Sequence, residues 1–316
     1  MRSAYRNLYI AQVQLILRTT QTLYEAIKLE HSLTLNQESH QRISQFYKAA
    51  KIKEKIGLSD ALDVYRAEIE LRIAEDTLKA TRERLEETKD TLRDLLALPL
   101  DLSIQIDIPT HYTPHSVDLN KAIDIALDKR IEMEQAEDDQ RENKRLSSLA
   151  KKNLYPELNL VLNYSNVGRG RRFSDFCMRH RENVWGIGVT TATQFAPLVD
   201  QIAYEQSLIA VASATRGIDQ TEATIILEVK KVVRQLERAF ERIRLQQEQI
   251  KTAQGELHLA KIKFDRGMAD NFNVIQAEKS LRMAQQNYWT ATIDHIVGEF
   301  QLLGAMGLLI DKPQMN

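Results

Sequence analysis

The chain has a single cysteine, Cys177, so no internal disulfide framework can hold it together. Proline and glycine are scarce, at 6 and 11 of 316 residues, and aromatics make up only 6%. Those shortages argue against a β-sandwich or a glycine-rich nucleotide-binding fold, which need many turns. No charge of one sign dominates either: 43 Lys and Arg stand against 44 Asp and Glu, a formal net charge of −1. Nothing in that balance calls for nucleic acid or an acidic partner. Long hydrophobic runs are missing, and the best stretch, LLGAMGLLI at 302–310, is about half the roughly 18 residues of a membrane-spanning helix. The first residues, MRSAYRNLYIAQVQLILRTTQ, mix Arg, Gln and Asn among apolar residues and do not read as a signal peptide. The residues read as a helix already under way.

What is abundant is helix-forming, charged sequence, at 28% Asp, Glu, Lys and Arg. Residues 1–56 contain neither Gly nor Pro, and an unbroken helix of that size would be about 80 Å long. Gly57 interrupts it, after which Ser59 or Asp60 can cap a second helix running to Ala97. Its apolar residues fall seven apart. Val64, Leu71, Leu78, Leu85 and Leu92 form one row, and Ala67, Ala74, Thr81, Thr88 and Leu95 the other. Heptads sustained this long specify helices packed by knobs into holes.

The same text then recurs. AKIKEKIGLSDALDVYRAEIELRIA begins at Ala50 and AKIKFDRGMADNFNVIQAEKSLRMA at Ala260, a constant offset of 210 that pairs Gly57 with Gly267 and Arg72 with Arg282. That spacing is far too long for a solenoid period, and a duplicated half-molecule accounts for it. In the second copy Leu236, Ile243, Ile250, Leu257 and Phe264 line a helix from near Gln201 to Gly267. Val274, Leu281 and Tyr288 continue it, with Ala277, Ala284, Ala291 and Gly298 as a companion row of small residues. Each half is expected to be a long antiparallel helical hairpin closed by a glycine turn.

Between the halves the texture changes. Residues 98–118 hold Pro99, Pro109 and Pro114 and are expected to be an irregular linker, and residues 119–152 return to helix. Over 153–200 two strands are expected. Leu158, Leu160, Leu162 and Tyr164 alternate with Asn159, Val161, Asn163 and Ser165. In 184–194 Trp185, Ile187 and Val189 point one way and Val184, Gly186, Gly188 and Thr190 the other. Period-two alternation is the strand signature. A two-stranded hairpin is marginal in water, whereas strands of about 9–11 residues with one apolar face suit a membrane β-barrel. Because a bilayer tolerates strands only in a closed barrel, other subunits would have to complete the sheet. Residues 201–310 form the second helical hairpin and 311–316 a tail.

These segments together resemble the outer-membrane efflux protein family, the TolC-like channel-tunnels, over nearly the whole chain. LLALPL at 95–100 is similar to the family's Leu-Leu-Gly-x-Pro close of the first helical pair. KRIEMEQAEDDQRENKRLSSLAKKNLYPELNLVLNYS resembles its Arg-Pro-Glu helix running into a Pro-led strand, and FAPLVD its Pro-Leu-Phe segment. AKIKFDRGMADNFNVIQAEKSLRMAQQNYWTA is similar to the turn between its last two long helices. The resemblance implies a mainly α protomer with one membrane hairpin, in a homotrimer whose barrel continues as a helical tunnel across the periplasm. It implies passive export through the outer membrane, coupled to an inner-membrane transporter and a periplasmic adaptor, with no catalysis and no cofactor.

The resemblance also assigns places to residues. Gly57, Leu58, Gly267 and Met268 fall in the turns at the periplasmic tip, where adaptors dock. Asp60, Asp63, Asp270, Asn273 and Gln276 fall at the constriction. Amides stand at 273 and 276 where the family has acidic residues, so a weak cation trap is expected. Leu158, Leu160, Leu162, Tyr164, Trp185, Ile187 and Val189 would face lipid. Family protomers contribute four strands and only the second pair is found here, so the chain is expected to be truncated, lacking an upstream helix, hairpin and signal peptide.

Plainer readings stand beside these. Asp60 and Asp270 also suit helix N-termini. Tyr164 and Trp185 belong to an interfacial girdle or pack on a neighbouring strand. The basic residues of 166–183 are solvated or meet anionic lipid. Pro114 between His111 and His115 spoils helical metal-ligand spacing, and no carboxylates join them. GRG and WGIG are too short for phosphate loops, and alternating charge such as RERLEETKDTLRD suits an exposed helix face. No enzyme constellation is present. The alternative readings are a soluble coiled-coil scaffold carrying a decorative hairpin, or a non-functional fragment.

Overall fold

A computed structural model describes residues 2–57, 60–106, 117–168, 181–192, 198–269 and 271–311. Its elements are α1 (Arg2–Lys55), α2 (Ala61–Leu95), α3 (Leu119–Lys129), α4 (Ile131–Lys152), β1 (Glu157–Gly168), β2 (Arg181–Ala192), α5 (Leu198–Asp265) and α6 (Asn271–Ala305). The duplication holds at the level of helix ends. α1 stops at Lys55 and α5 at Asp265, and α2 and α6 each have 35 residues, all at the offset of 210. The chain divides into two compact units, Met1–Ile131 with Ala223–Asn316, and Glu132–Glu222.

In the first unit the heptad rows are what the packing uses. Ala253, Leu257, Ala260 and Phe264 of α5 meet Val274, Ala277 and Leu281 of α6. Ala50 of α1, Val64 and Ala67 of α2 and Ile275 of α6 form a neighbouring cluster. Tyr24 and Ile27 of α1 pack on Ile293 and Ile296 of α6. The small-residue row matters physically: a Cβ placed on Gly298 would come within 3.2 Å of Leu236. The His31 ring lies flat on Trp289, with centroids 3.6 Å apart. Burial there holds the imidazole below the ordinary histidine range, with Glu30 opposing the shift.

Two helix ends repeat as well. The offset pairs Ala97 with Gly307, and both adopt left-handed backbone, at φ 52° and 70°. Each closes its helix by a six-to-one hydrogen bond, from Leu98 N–H to the Arg93 carbonyl and from Leu308 N–H to the Leu303 carbonyl. A Cβ in that conformation costs about 1–2 kcal/mol. Ala97→Gly is therefore expected to raise stability by about 1 kcal/mol in denaturant unfolding. Gly307→Ala should lower it by more than the conformational term alone, because the new Cβ would lie 3.1 Å from the Lys129 carbonyl carbon.

Three sequence expectations need revision. The stretch 119–152 is two helices, because Arg130 is extended at φ −72°, ψ 134°. Its side chain reaches Glu228, and buried Ile131 starts α4. α2 ends at Leu95, two residues before Ala97. Within RERLEETKDTLRD most charges are exposed, but Arg93 folds back and donates from Nε to the Leu102 carbonyl at 2.8 Å. α3 is capped by Asp118, which accepts from the backbone N–H of Asn120 and Lys121.

In the second unit α4 and the first part of α5 are linked through polar contacts. Gln140 Nε2 donates to Thr215 Oγ1 at 3.0 Å, and the hydroxyls of Ser207 and Ser147 lie 3.1 Å apart. β1 and β2 pair antiparallel over twelve rungs from Glu157↔Ala192 to Gly168↔Arg181. His111, His115 and residues 169–180 lie outside the described residues.

Candidate functional site

The hairpin register brings together residues that alternate apart in sequence. Leu160 faces Val189, Leu162 faces Ile187 and Tyr164 faces Trp185, while Leu158 faces Thr191. Directly opposed residues share a face, so all seven apolar candidates line one side. The opposite side carries Asn159 with Thr190, Val161 with Gly188, Asn163 with Gly186 and Ser165 with Val184. Tyr164 and Trp185 rings pack with centroids 4.6 Å apart, and the Tyr164 hydroxyl donates to Asn183 Oδ1 at 3.2 Å. Asn166 and Asn183 then close that end of the apolar face with a 2.8 Å hydrogen bond.

The apolar face is bare. Ile187 and Trp185 are 78% and 75% exposed, and the other five apolar candidates are exposed as well. Leaving such side chains in water forfeits about 1.5–3 kcal/mol each relative to burial. Twelve-residue strands run about 40 Å, and a tilt of about 45° brings that near the 25 Å apolar band of an outer-membrane barrel. Among the described residues the sheet has two strands, and each keeps one edge unpaired.

At the two helical turns, Gly57 and Gly267 have φ of 72° and 70°, and a Cβ on either would meet no atom within 4 Å. The turns need glycine for its backbone alone. Gly267 N–H bonds to the Phe264 carbonyl, and Met268 N–H to the Lys263 carbonyl at 2.8 Å. Met268 is 63% exposed, and Ile52, Ile56 and Phe272 are exposed beside the turns. Leu58 and Asp270 lie outside the described residues. Asp60 occupies the N-cap position of α2 with no capping bond from its side chain, so the expected carboxylate cap is not made. Asp60, Asn273 and Gln276 are exposed and Asp63 is half-buried.

Sequence reasoning missed several neighbours of these positions. Arg66, the offset counterpart of Gln276, is exposed one turn beyond Asp63 with its guanidinium 5.9 Å from the Phe272 ring. Lys53 of α1 donates to the Phe264 carbonyl at 2.8 Å and sits 3.5 Å from that ring's centroid. Glu278, 1% exposed, accepts from Arg42 Nε at 2.5 Å, and Lys279 pairs with Glu70 at 2.7 Å. Asn36 Oδ1 accepts from Arg282 and Gln286 while its amide nitrogen donates to Thr81. The signal available in sequence was the identity of Arg72 with Arg282 and Glu68 with Glu278, which marked these helix positions without saying which copy is buried.

Two long helical pairs in repeat, with one amphipathic ribbon between them, define a TolC-like channel protomer. Residues 122–308 match the model of the outer membrane efflux protein family, and the chain belongs to that family. As a member it is an outer-membrane protein, part of a passive channel and not an enzyme. Among solved structures the fold is similar to the outer-membrane protein VceC from Vibrio cholerae, at a TM-score of 0.82 and 17% identity over 96% of this chain and 72% of that one. It is also similar to the outer-membrane channel OprN, at 0.80 and 16% over 96% and 68%, and to CusC, at 0.77 and 17% over 94% and 69%. No curated protein sequence matches the chain. Among the described residues no helix is long and apolar enough to cross a membrane.

Proposed function

We propose that the chain is the outer-duct subunit of an export assembly, a homotrimer that accepts cargo from an inner-membrane transporter through a periplasmic adaptor. The observation that carries this reading is the hairpin: an aligned apolar face, a polar opposite face and two open edges. Such a ribbon is stable only when lipid covers one side and neighbouring strands close the sheet. Gly57, Leu58, Gly267 and Met268, with exposed Ile52 and Ile56, form the docking tip for the adaptor's helical ends. Asp60, Asp63, Asp270, Asn273 and Gln276 surround the narrow passage.

Carboxylates repeated around one lumen attract cations. Here Arg66 sets a positive charge within one turn of Asp63, and the amides of Asn273 and Gln276 add none. The full-length protein in planar bilayers should therefore give a steady conductance only weakly blocked by divalent cations. Asp60→Asn, Asp63→Asn and Asp270→Asn together should remove what block remains. Strong block surviving those substitutions would refute the assigned constriction. Absence of any conductance, with extraction into plain buffer, would replace the duct by a soluble scaffold.

A further inference from the structure

We infer, resting on the outer-duct reading above, that one end of the hairpin's lipid-facing side is a binding site for a phosphorylated glycolipid headgroup, built by Tyr164, Trp185, Asn166 and Asn183.

The rungs of that side follow the order of polarity across one leaflet of a bilayer. Leu158, Leu160 and Leu162 stand opposite Thr191, Val189 and Ile187. Tyr164 then meets Trp185, Asn166 meets Asn183, and the last rung pairs Gly168 with Arg181. The first three rungs suit acyl chains, and the amphipathic rings suit the boundary where chains give way to headgroups. Amides followed by a cation suit hydroxyls and then phosphate. Successive rungs of one face are about 6.7 Å apart along a strand, or about 5 Å in depth at a tilt of about 45°. The amide rung therefore lies one step beyond the rings, at headgroup depth. Helices α4 and α5 join the hairpin at Glu157 and Ala192, so this is the end remote from both connections. With the helices periplasmic, it falls in the outer leaflet. The near end of the same side, Leu158 with Thr191, has neither ring nor amide.

Hydrogen bonding orients the cluster. Asn183 Oδ1 accepts from the Tyr164 hydroxyl at 3.2 Å and from Asn166 Nδ2 at 2.8 Å. With that oxygen used twice, Asn183 keeps its amide N–H groups as donors, and Asn166 keeps its oxygen as an acceptor. Both residues are exposed, and these remaining groups have no partner among the described residues. A sugar hydroxyl both donates and accepts, so neighbouring hydroxyls of one ring satisfy the pair. Trp185 is stacked by Tyr164 yet 75% exposed, which leaves apolar ring surface for the C–H face of a sugar. Charge is complementary to phosphate as well: residues 169–181 hold Arg169, Arg171, Arg172, Arg179 and Arg181 against Asp175.

The test mixes full-length protein in detergent with lipid A, an acylated and phosphorylated glucosamine disaccharide, or with phosphatidylglycerol, and counts bound lipid by native mass spectrometry. Lipid A should stay bound where phosphatidylglycerol does not. Asn166→Leu with Asn183→Leu should lower the lipid A bound by about tenfold, the loss of two hydrogen-bonding groups. Trp185→Leu should lower it too, and Asn163→Leu on the opposite side should not. All four substitutions should leave the protein in the washed outer-membrane pellet, since none adds charge to the lipid-facing side. Lipid A held equally by the amide and control variants, or no preference between the two lipids, overturns the headgroup site while the duct reading stands. Unaltered protein that washes out of the membrane into plain buffer overturns both.

Discussion

Leu162→Arg is expected to abolish retention of the protein in outer membranes, while Asn163→Arg, one residue along, should be tolerated. Leu162 lies in the middle of the apolar face opposite Ile187, and Asn163 points to the polar side opposite Gly186. An arginine on the lipid side of a barrel costs about 2–4 kcal/mol at the bilayer midplane and little in the lumen. That penalty falls on every copy of the ribbon, so assembly is lost rather than weakened. The readout is the fraction of protein left in the membrane pellet after alkaline or urea washing. Equal loss for both variants would mean that the two faces do not differ, and the assignment of a lipid side would be wrong.

The second large effect is expected at Arg42→Met, far from the ribbon in sequence. Glu278 is almost wholly enclosed, and Arg42 Nε is the donor that compensates its charge at 2.5 Å. Removing one partner of a buried pair leaves an uncompensated charge and costs about 3–5 kcal/mol. Arg42 also pairs with Glu38 at 3.3 Å, a more exposed contact whose loss adds little. Replacing both members by methionine should return stability close to the starting value, because apolar side chains fill the space without a charge. Denaturant unfolding of the helical signal in detergent measures both. If the single and double variants unfold at the same midpoint, the pair contributes nothing through its burial.

These contrasts mark how far the primary structure could be read. The helical pairs were legible because seven-residue spacing leaves no other consistent packing, and because the second copy repeats the first: Val64 and Val274, Ala67 and Ala277, Leu92 and Leu302 are all buried. The strand faces were legible because a period of two admits only two sides, and the observed register places Leu160 against Val189. The break at Arg130 left no trace in composition, since neither glycine nor proline marks it; tertiary contacts to Glu228 and the burial of Ile131 set it. The enclosure of Glu278 was hidden for another reason. Glutamate on a charged helix reads as solvent-facing, and its matched partner Glu68 is indeed half-exposed. Only the neighbouring helix decides between them. Asp60 is the converse case, a residue type suited to capping at the N-cap position whose carboxylate makes no capping bond.

The two bare edges of the ribbon set a race during biogenesis. A newly made copy presents unpaired strand backbone and a greasy stripe to whatever it meets first, which is the condition for aggregation. In the proposed homotrimer, productive encounter with a second copy competes with that fate at a rate that depends on how many copies are present. The open edges that would let copies join are thus also where a single copy is most exposed to misassembly.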